Sequence, residues 1–99
     1  MHEQYASGNW IVTPGRDSEF VQRWTEFLEW TRACASEFGS AVLIRDAEDR
    51  NHFISFASWE SSDAMNSWRS LPDFPDKLGA CRSLCTDLRG SSYTVGARV

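Results

Sequence analysis

Residues 52–74 read HFISFASWESSDAMNSWRSLPDF, and three structural signals follow one another in them. His52 to Trp59 is a run of aromatic, β-branched and small residues, which marks a strand. Ser61-Ser62-Asp63 supplies side-chain acceptors for the free N–H groups of a helix start, and Ala64, Met65, Trp68 and Leu71 recur behind it at helical spacing. Leu71-Pro72 interrupts that helix, because proline disfavours the α region in the residue before it. On the third strand one face carries Phe53, Ser55, Ala57 and Trp59 and the other His52, Ile54, Phe56 and Ser58. A sheet with one wet face alternates apolar with polar more cleanly than this, so both faces of the strand are expected to be at least partly covered.

Upstream, Ser40 to Arg45 (SAVLIR) and the polar turn DAEDRN complete an antiparallel hairpin with this strand. Residues 1–8 carry no period and read as a loose arm, and Asn9 to Thr13 (NWIVT) is a first strand closed by Pro14-Gly15. From Asp17, a candidate N-cap, apolar residues at helical spacing predict a helix of about five turns ending near Phe38 before Gly39. Downstream, a further helical piece starts around Asp73 and Pro75. Its stripe is Leu78, Cys81, Leu84, Cys85 and Leu88, it stops at Gly90, and Tyr93 to Val99 supplies the last strand. The order strand, helix, strand, strand, helix, strand predicts one α+β domain over residues 1–99. It is of the ferredoxin-like βαββαβ type, a four-stranded antiparallel sheet with its helices on one face. The chain has helix enough for that face only, so a second copy packed about a two-fold axis, on the His52, Ile54, Phe56 and Ser58 face, is the expected cover for the other.

Composition narrows the function. Ninety-nine residues allow one core, and 10 basic against 14 acidic residues, without runs of like charge, make nucleic acid and anionic membranes poor partners. No apolar stretch is long enough to span a bilayer, and a cytoplasmic location is the default expectation. Cys34, Cys81 and Cys85 are an odd number in a chain with an ordinary core and read as reduced thiols. Cys81 and Cys85 would share a helical face, but His2 and His52 lie far from them in sequence, and no metal is expected. Five Trp and six Phe are many for this length; rings of that size serve a dense core or a pocket for a flat apolar ligand.

The stretch from Asn9 to Tyr93 resembles the antibiotic biosynthesis monooxygenase family, whose members form dimeric α/β barrels. FISFASWESSDAMNSWRSLPDF, residues 53–74, is similar to that family's third strand, the W-x-S corner and the aromatic-bearing helix, and NWIVTPGRDSEFVQRW to its first strand and following helix. In members that oxidise polyketide anthrones without flavin, metal or haem, the resemblance implies an Asn and a Trp four residues apart on the third strand, a Tyr on the next helix and a later Arg. Trp59 matches the Trp, Ser55 stands where the Asn would be, Met65 stands where the Tyr would be, and Arg82 matches the Arg across a gap. A haem-degrading branch uses an Asn on the first strand, a Trp on the helix and a His ligand; here Asn9 lies one residue out of register, Trp68 matches, and the ligand position falls at or beside Leu78.

The leading expectation is a cofactor-independent monooxygenase acting on a small aromatic or quinol metabolite. Its pocket would lie between the helices and the sheet face carrying Phe53, Ser55, Ala57 and Trp59. Trp59, Arg82 and Ser55 are the candidate catalytic groups, with Trp24, Phe27, Phe53, Met65, Trp68, Phe74 and Tyr93 around the substrate. Two other readings remain open: a non-catalytic dimeric module that binds a small apolar ligand, and a haem-binding or haem-degrading relative.

Overall fold

The third strand forms at the expected residues and lies inside the sheet, as a strand apolar on both faces should. The computed structural model describes residues 3–99. Its elements are β1 (Gln4–Val12), α1 (Asp17–Cys34), β2 (Phe38–Arg45), β3 (His52–Trp59), α2 (Ser62–Arg69), α3 (Phe74–Arg82) and β4 (Cys85–Thr94). The four strands make one antiparallel sheet in the order β2-β3-β1-β4, the ferredoxin-like α+β arrangement. The helices sit on one face and bury Phe20, Phe27, Met65, Trp68 and Cys81 against Trp10, Val12, Phe53 and Trp59 of the sheet.

Local chemistry accounts for the boundaries. Ser61 caps α2 by accepting a hydrogen bond from the Ala64 N–H at 3.1 Å, and the helix gives way at Leu71, whose N–H bonds the Trp68 carbonyl. The β2–β3 turn is held by Asp46 and Asp49, whose carboxylates accept from the N–H groups two residues on, Glu48 and Asn51. Asp17 does not cap α1, which starts after Arg16; it lies in the first turn and pairs with Arg45 and Arg50, both at 3.3 Å, tying the helix start to the hairpin. Burial works against ionisation of Asp17, but its own backbone N–H and the two arginines hold the carboxyl below the usual carboxylate range.

Four boundaries differ from the sequence reading. The loose arm is mostly strand: residues from Gln4 onward pair with both β3 and β4, and Met1 and His2 lie outside the described residues. The first helix ends at Cys34 rather than near Phe38, because Ala35 turns extended and Phe38 begins β2, where its ring packs 5.4 Å from that of Trp59. α3 stops at Arg82, and the apolar positions 85 and 88 belong to β4. Spacing of three to four fitted a helix there, but pairing the whole of β1 against residues 85–94 satisfies a row of backbone groups that a longer helix would leave open. The last strand therefore ends at Thr94 instead of running from Tyr93 to Val99.

The cysteines follow from this correction. Cys81 is on α3 and Cys85 starts β4, so they do not share a helical face; the Cys85 thiol donates to the Cys81 carbonyl at 3.5 Å. All three thiols are free. Burial, with Cys85 next to it, pushes the Cys81 thiol up to about 12, and burial pushes Cys85 up to about 11. Among the described residues no three His, Cys, Asp or Glu side chains converge as a metal site, and no helix is long and apolar enough to cross a membrane.

Candidate functional site

The middle of the inner sheet face is built from small residues, which leaves room under the helices. Gly8 faces Ser55 on one side and Gly90 on the other, and one step along, Ala6 faces Ala57 and Ser92. This floor is bounded at one end by Trp10 and Leu88, themselves register partners. The roof is aromatic: Trp24 and Phe27 from α1, Trp68 from α2, and Phe74 with Leu78 from α3. Small floor and large roof bound a cavity of about 210 Å³ that is partly open to solvent. A dry apolar cavity of roughly 150 Å³ takes a benzene-sized ring, so this one suits a small flat ring system.

The rings are fixed by mutual contact. Phe27 stacks on Trp68 at 5.6 Å between centroids, and Phe74 stands edge-on to Trp68 at 4.8 Å. Two of the indoles at the cavity have their N–H engaged inside the protein. Trp68 Nε1 donates to Thr31 Oγ1 at 2.9 Å, and the Thr31 hydroxyl donates in turn to the Phe27 carbonyl. Trp10 Nε1 donates to Ser55 Oγ at 3.0 Å, a bond that requires the ring to fold back over Gly8, where a Cβ would lie 2.5 Å from the indole nitrogen. Besides the Trp24 indole and Ser7, two polar groups line the cavity. One is the Ser55 hydroxyl hydrogen, since Ser55 Oγ accepts from Trp10. The other is the guanidinium of Arg69, which lines the cavity and donates to Ser92 Oγ at 2.9 Å; burial lowers its pKa from the ordinary arginine value.

The expected site residues separate into two groups. Ser55, Trp24, Phe27, Trp68 and Phe74 meet at the cavity. Trp59, Phe53, Met65, Arg82 and Tyr93 do not line it. Trp59 is fully buried behind Trp68, 4.9 Å between ring centroids, and borders a separate, more polar depression beside the α1–β2 connection. Its indole N–H is buried without a partner among the described residues. Phe53 packs on Phe20 beneath the Arg45 guanidinium, and Met65 is core. Arg82 does not point into the layer between helices and sheet: α3 buries Cys81 and ends at Arg82, which is left exposed. Tyr93 is 54% exposed on the outer sheet face. Asn9 also lies on that outer face, hydrogen-bonded to His52 Nε2 at 2.8 Å, and Leu78 at the cavity wall offers iron no donor atom, so the residues present do not fit haem ligation of the kind considered.

Gly8, Trp10 and Arg69 were not anticipated. Ala6, Gly8, Trp10 and Val12 alternate along one face, a strand signal that starting the strand at Asn9 concealed. Arg69 carries no sequence signal, because its partner Ser92 comes from a strand read as helix and connection.

With this geometry in place, residues 5–76 match the family described as Antibiotic biosynthesis monooxygenase. The chain belongs to that family. Solved structures agree in fold. A variant of SnoaB, a cofactor-independent oxygenase from Streptomyces nogalater, is similar to this antibiotic biosynthesis monooxygenase-family chain with a TM-score of 0.90 at 21% identity, covering 100% of this chain and 98% of that one. A candidate antibiotic biosynthesis monooxygenase from Deinococcus radiodurans gives 0.82 at 20% identity, covering 97% and 95%. A conserved protein from Methanosarcina mazei Go1 gives 0.82 at 12%, covering 95% and 93%. No curated protein matches the sequence. Of the four positions matched to the anthrone-oxidising members, Ser55 is the one at the cavity; Trp59 and Met65 form the core behind it and Arg82 stands outside.

Proposed function

We propose that this chain is a cofactor-independent monooxygenase of a small aromatic or quinol metabolite, working as a cytoplasmic homodimer. The observation that carries the reading is the cavity itself, aromatic on its roof, small-residue on its floor, with the Ser55 hydroxyl free to donate. Membership of a monooxygenase family and the likeness to a cofactor-independent oxygenase support it.

The chemistry asks little of the protein. An ionised hydroquinone or enol gives one electron to dioxygen, the resulting radical and superoxide combine to a hydroperoxide, and loss of water leaves a new carbonyl; one oxygen atom stays in the product and the other leaves as water. The chain's part is to hold the ring between the roof of Trp24, Phe27 and Trp68 and the small-residue floor, to favour the anion through the Ser55 hydroxyl, and to keep water from the radical pair. Trp59 and Phe74 keep Trp68 in place through ring contacts.

Homodimerisation is supported by the outer sheet face, where Val42, Ile44 and Tyr93 are each about half exposed (50%, 48% and 54%) beside Ile54 and Phe56. An apolar surface of this kind on a small domain marks an interface. A second reading, a non-catalytic dimeric binding module, is favoured by Ser55 and Met65 in place of the family's Asn and Tyr.

Oxygen uptake with a model anthrone or hydroquinone decides between them. Turnover above autoxidation, reduced at least about tenfold by Ser55→Ala, is the expected result. Ligand binding without any enzyme-dependent uptake overturns the oxygenase and leaves the binding module.

A further inference from the structure

Arg69 closes α2, directly after the Trp68 that roofs the cavity, and its Nη1 reaches across to Ser92 Oγ on β4 at 2.9 Å. Ser92 is the register partner of Ala6 on the cavity floor. The guanidinium thus bridges roof and floor at one side of a largely apolar space. Arg16, Arg23, Arg45, Arg50 and Arg89 each have a carboxylate within ion-pair reach. Arg69 has none among the described residues, although it is half-buried in a chain of net charge −4. One serine hydroxyl uses one of the five N–H donors of a guanidinium and neutralises none of its charge. Withdrawing such a cation from water is unfavourable, and the loss is recovered when an anion docks against it.

We propose that Arg69 is the specificity-determining residue of this cavity, selecting flat hydroxy-aromatic ligands in their ionised form by pairing with the phenolate or enolate oxygen. The inference rests on the cavity being the ligand site, as in the function proposed above, and replaces Arg82 as the cation facing the ligand. Arg69 adjoins Trp68 at the cavity and has N–H donors beyond the one given to Ser92, whereas the Ser55 hydroxyl sits on the floor and can meet a second oxygen of the same ligand. A phenolate bound this way is also the form that surrenders an electron to oxygen, so one residue would serve selection and activation together.

Binding without turnover tests this. The probes are 4-nitro-1-naphthol, ionised at pH 8, and its neutral methyl ether, 1-methoxy-4-nitronaphthalene, followed by quenching of tryptophan fluorescence. The wild-type chain is expected to prefer the naphtholate. Arg69→Gln is expected to weaken naphtholate binding at least about tenfold, the low end for a hydrogen bond to a charged group, with the ether changed less than about twofold. Arg69→Lys, which keeps the charge, should retain part of the preference. Equal losses for both probes would make Arg69 a packing residue, and an unchanged naphtholate affinity would remove it from the site; either overturns the inference and leaves the cavity standing. A wild-type chain that binds neither probe overturns the cavity as ligand site, and the proposed function with it.

Discussion

The two faces of the sheet differ in what is missing from each. The inner face lacks side-chain volume: Ala6, Gly8, Ser55, Ala57, Gly90 and Ser92 lie next to one another across three strands, and the rings above cannot descend to fill the gap because they brace each other. The outer face has volume to spare and lacks a cover. Val42, Ile44 and Tyr93 stand out from it, and of its polar members His52 is engaged with Asp46 and Asn9, and Ser58 with the backbone of Ser40. A gap walled by fixed rings is a place for a small ligand; a sheet face with exposed apolar side chains is a place for another protein surface.

The largest expected effect lies on the inner face. Trp59→Ala should cost about 3–5 kcal/mol in urea denaturation, since the ring is fully buried between Phe38 and Trp68. A loss below about 1 kcal/mol would show that the wall behind the cavity is soft. On the outer face, Val42→Lys with Ile44→Lys should leave far-UV circular dichroism unchanged and weaken self-association at least about a hundredfold, or ~2.7 kcal/mol, because both changes occur twice in a two-fold interface. Sedimentation reads this directly. A wild-type chain that remains monomeric at micromolar concentration would remove the distinction between the faces.

The cavity floor allows a finer comparison. Gly8→Ala should cost about 1–3 kcal/mol, because the new Cβ would sit 2.5 Å from Trp10 Nε1 and 2.9 Å from Ser55 Oγ and would displace their hydrogen bond. Gly90→Ala, whose Cβ would meet only the Ser7 carbonyl at 3.9 Å, should be close to neutral while still narrowing the space. Equal costs would mean that the Trp10 fold-back is not what Gly8 is for. The smallest effect is chemical. Alkylation of native protein at pH 8 should label exposed Cys34 first and leave Cys81 and Cys85 slow, since burial holds both as thiols. Because their folded values lie above the ordinary 9.0, the unfolded chain loses these protons first, so stability is full below pH 9.0 and declines as pH rises from there toward about 12. Substituting both cysteines by Ala should flatten that decline in a pH series of melting curves.

What the sequence by itself determined is what local periodicity encodes: β3, the Ser61 cap, the break at Leu71-Pro72, the α+β order, and a surplus of rings directed to the helical side. The family pattern in residues 53–74 fixed the strand and corner on which Ser55 and Trp59 sit. Only the tertiary structure decided the fate of residues 83–90, where a spacing that suits a helix was overruled by the unpaired edge of β1. It alone decided that Trp68 stands between Ser55 and Trp59, dividing one expected pocket into two spaces. It decided too that the cation at the cavity is Arg69 rather than Arg82. The physical reason is the same in each case: a cavity and its charge are defined by which strands lie side by side, and the register joining residues 6, 8, 55, 57, 90 and 92 is set by backbone pairing between segments up to 86 positions apart.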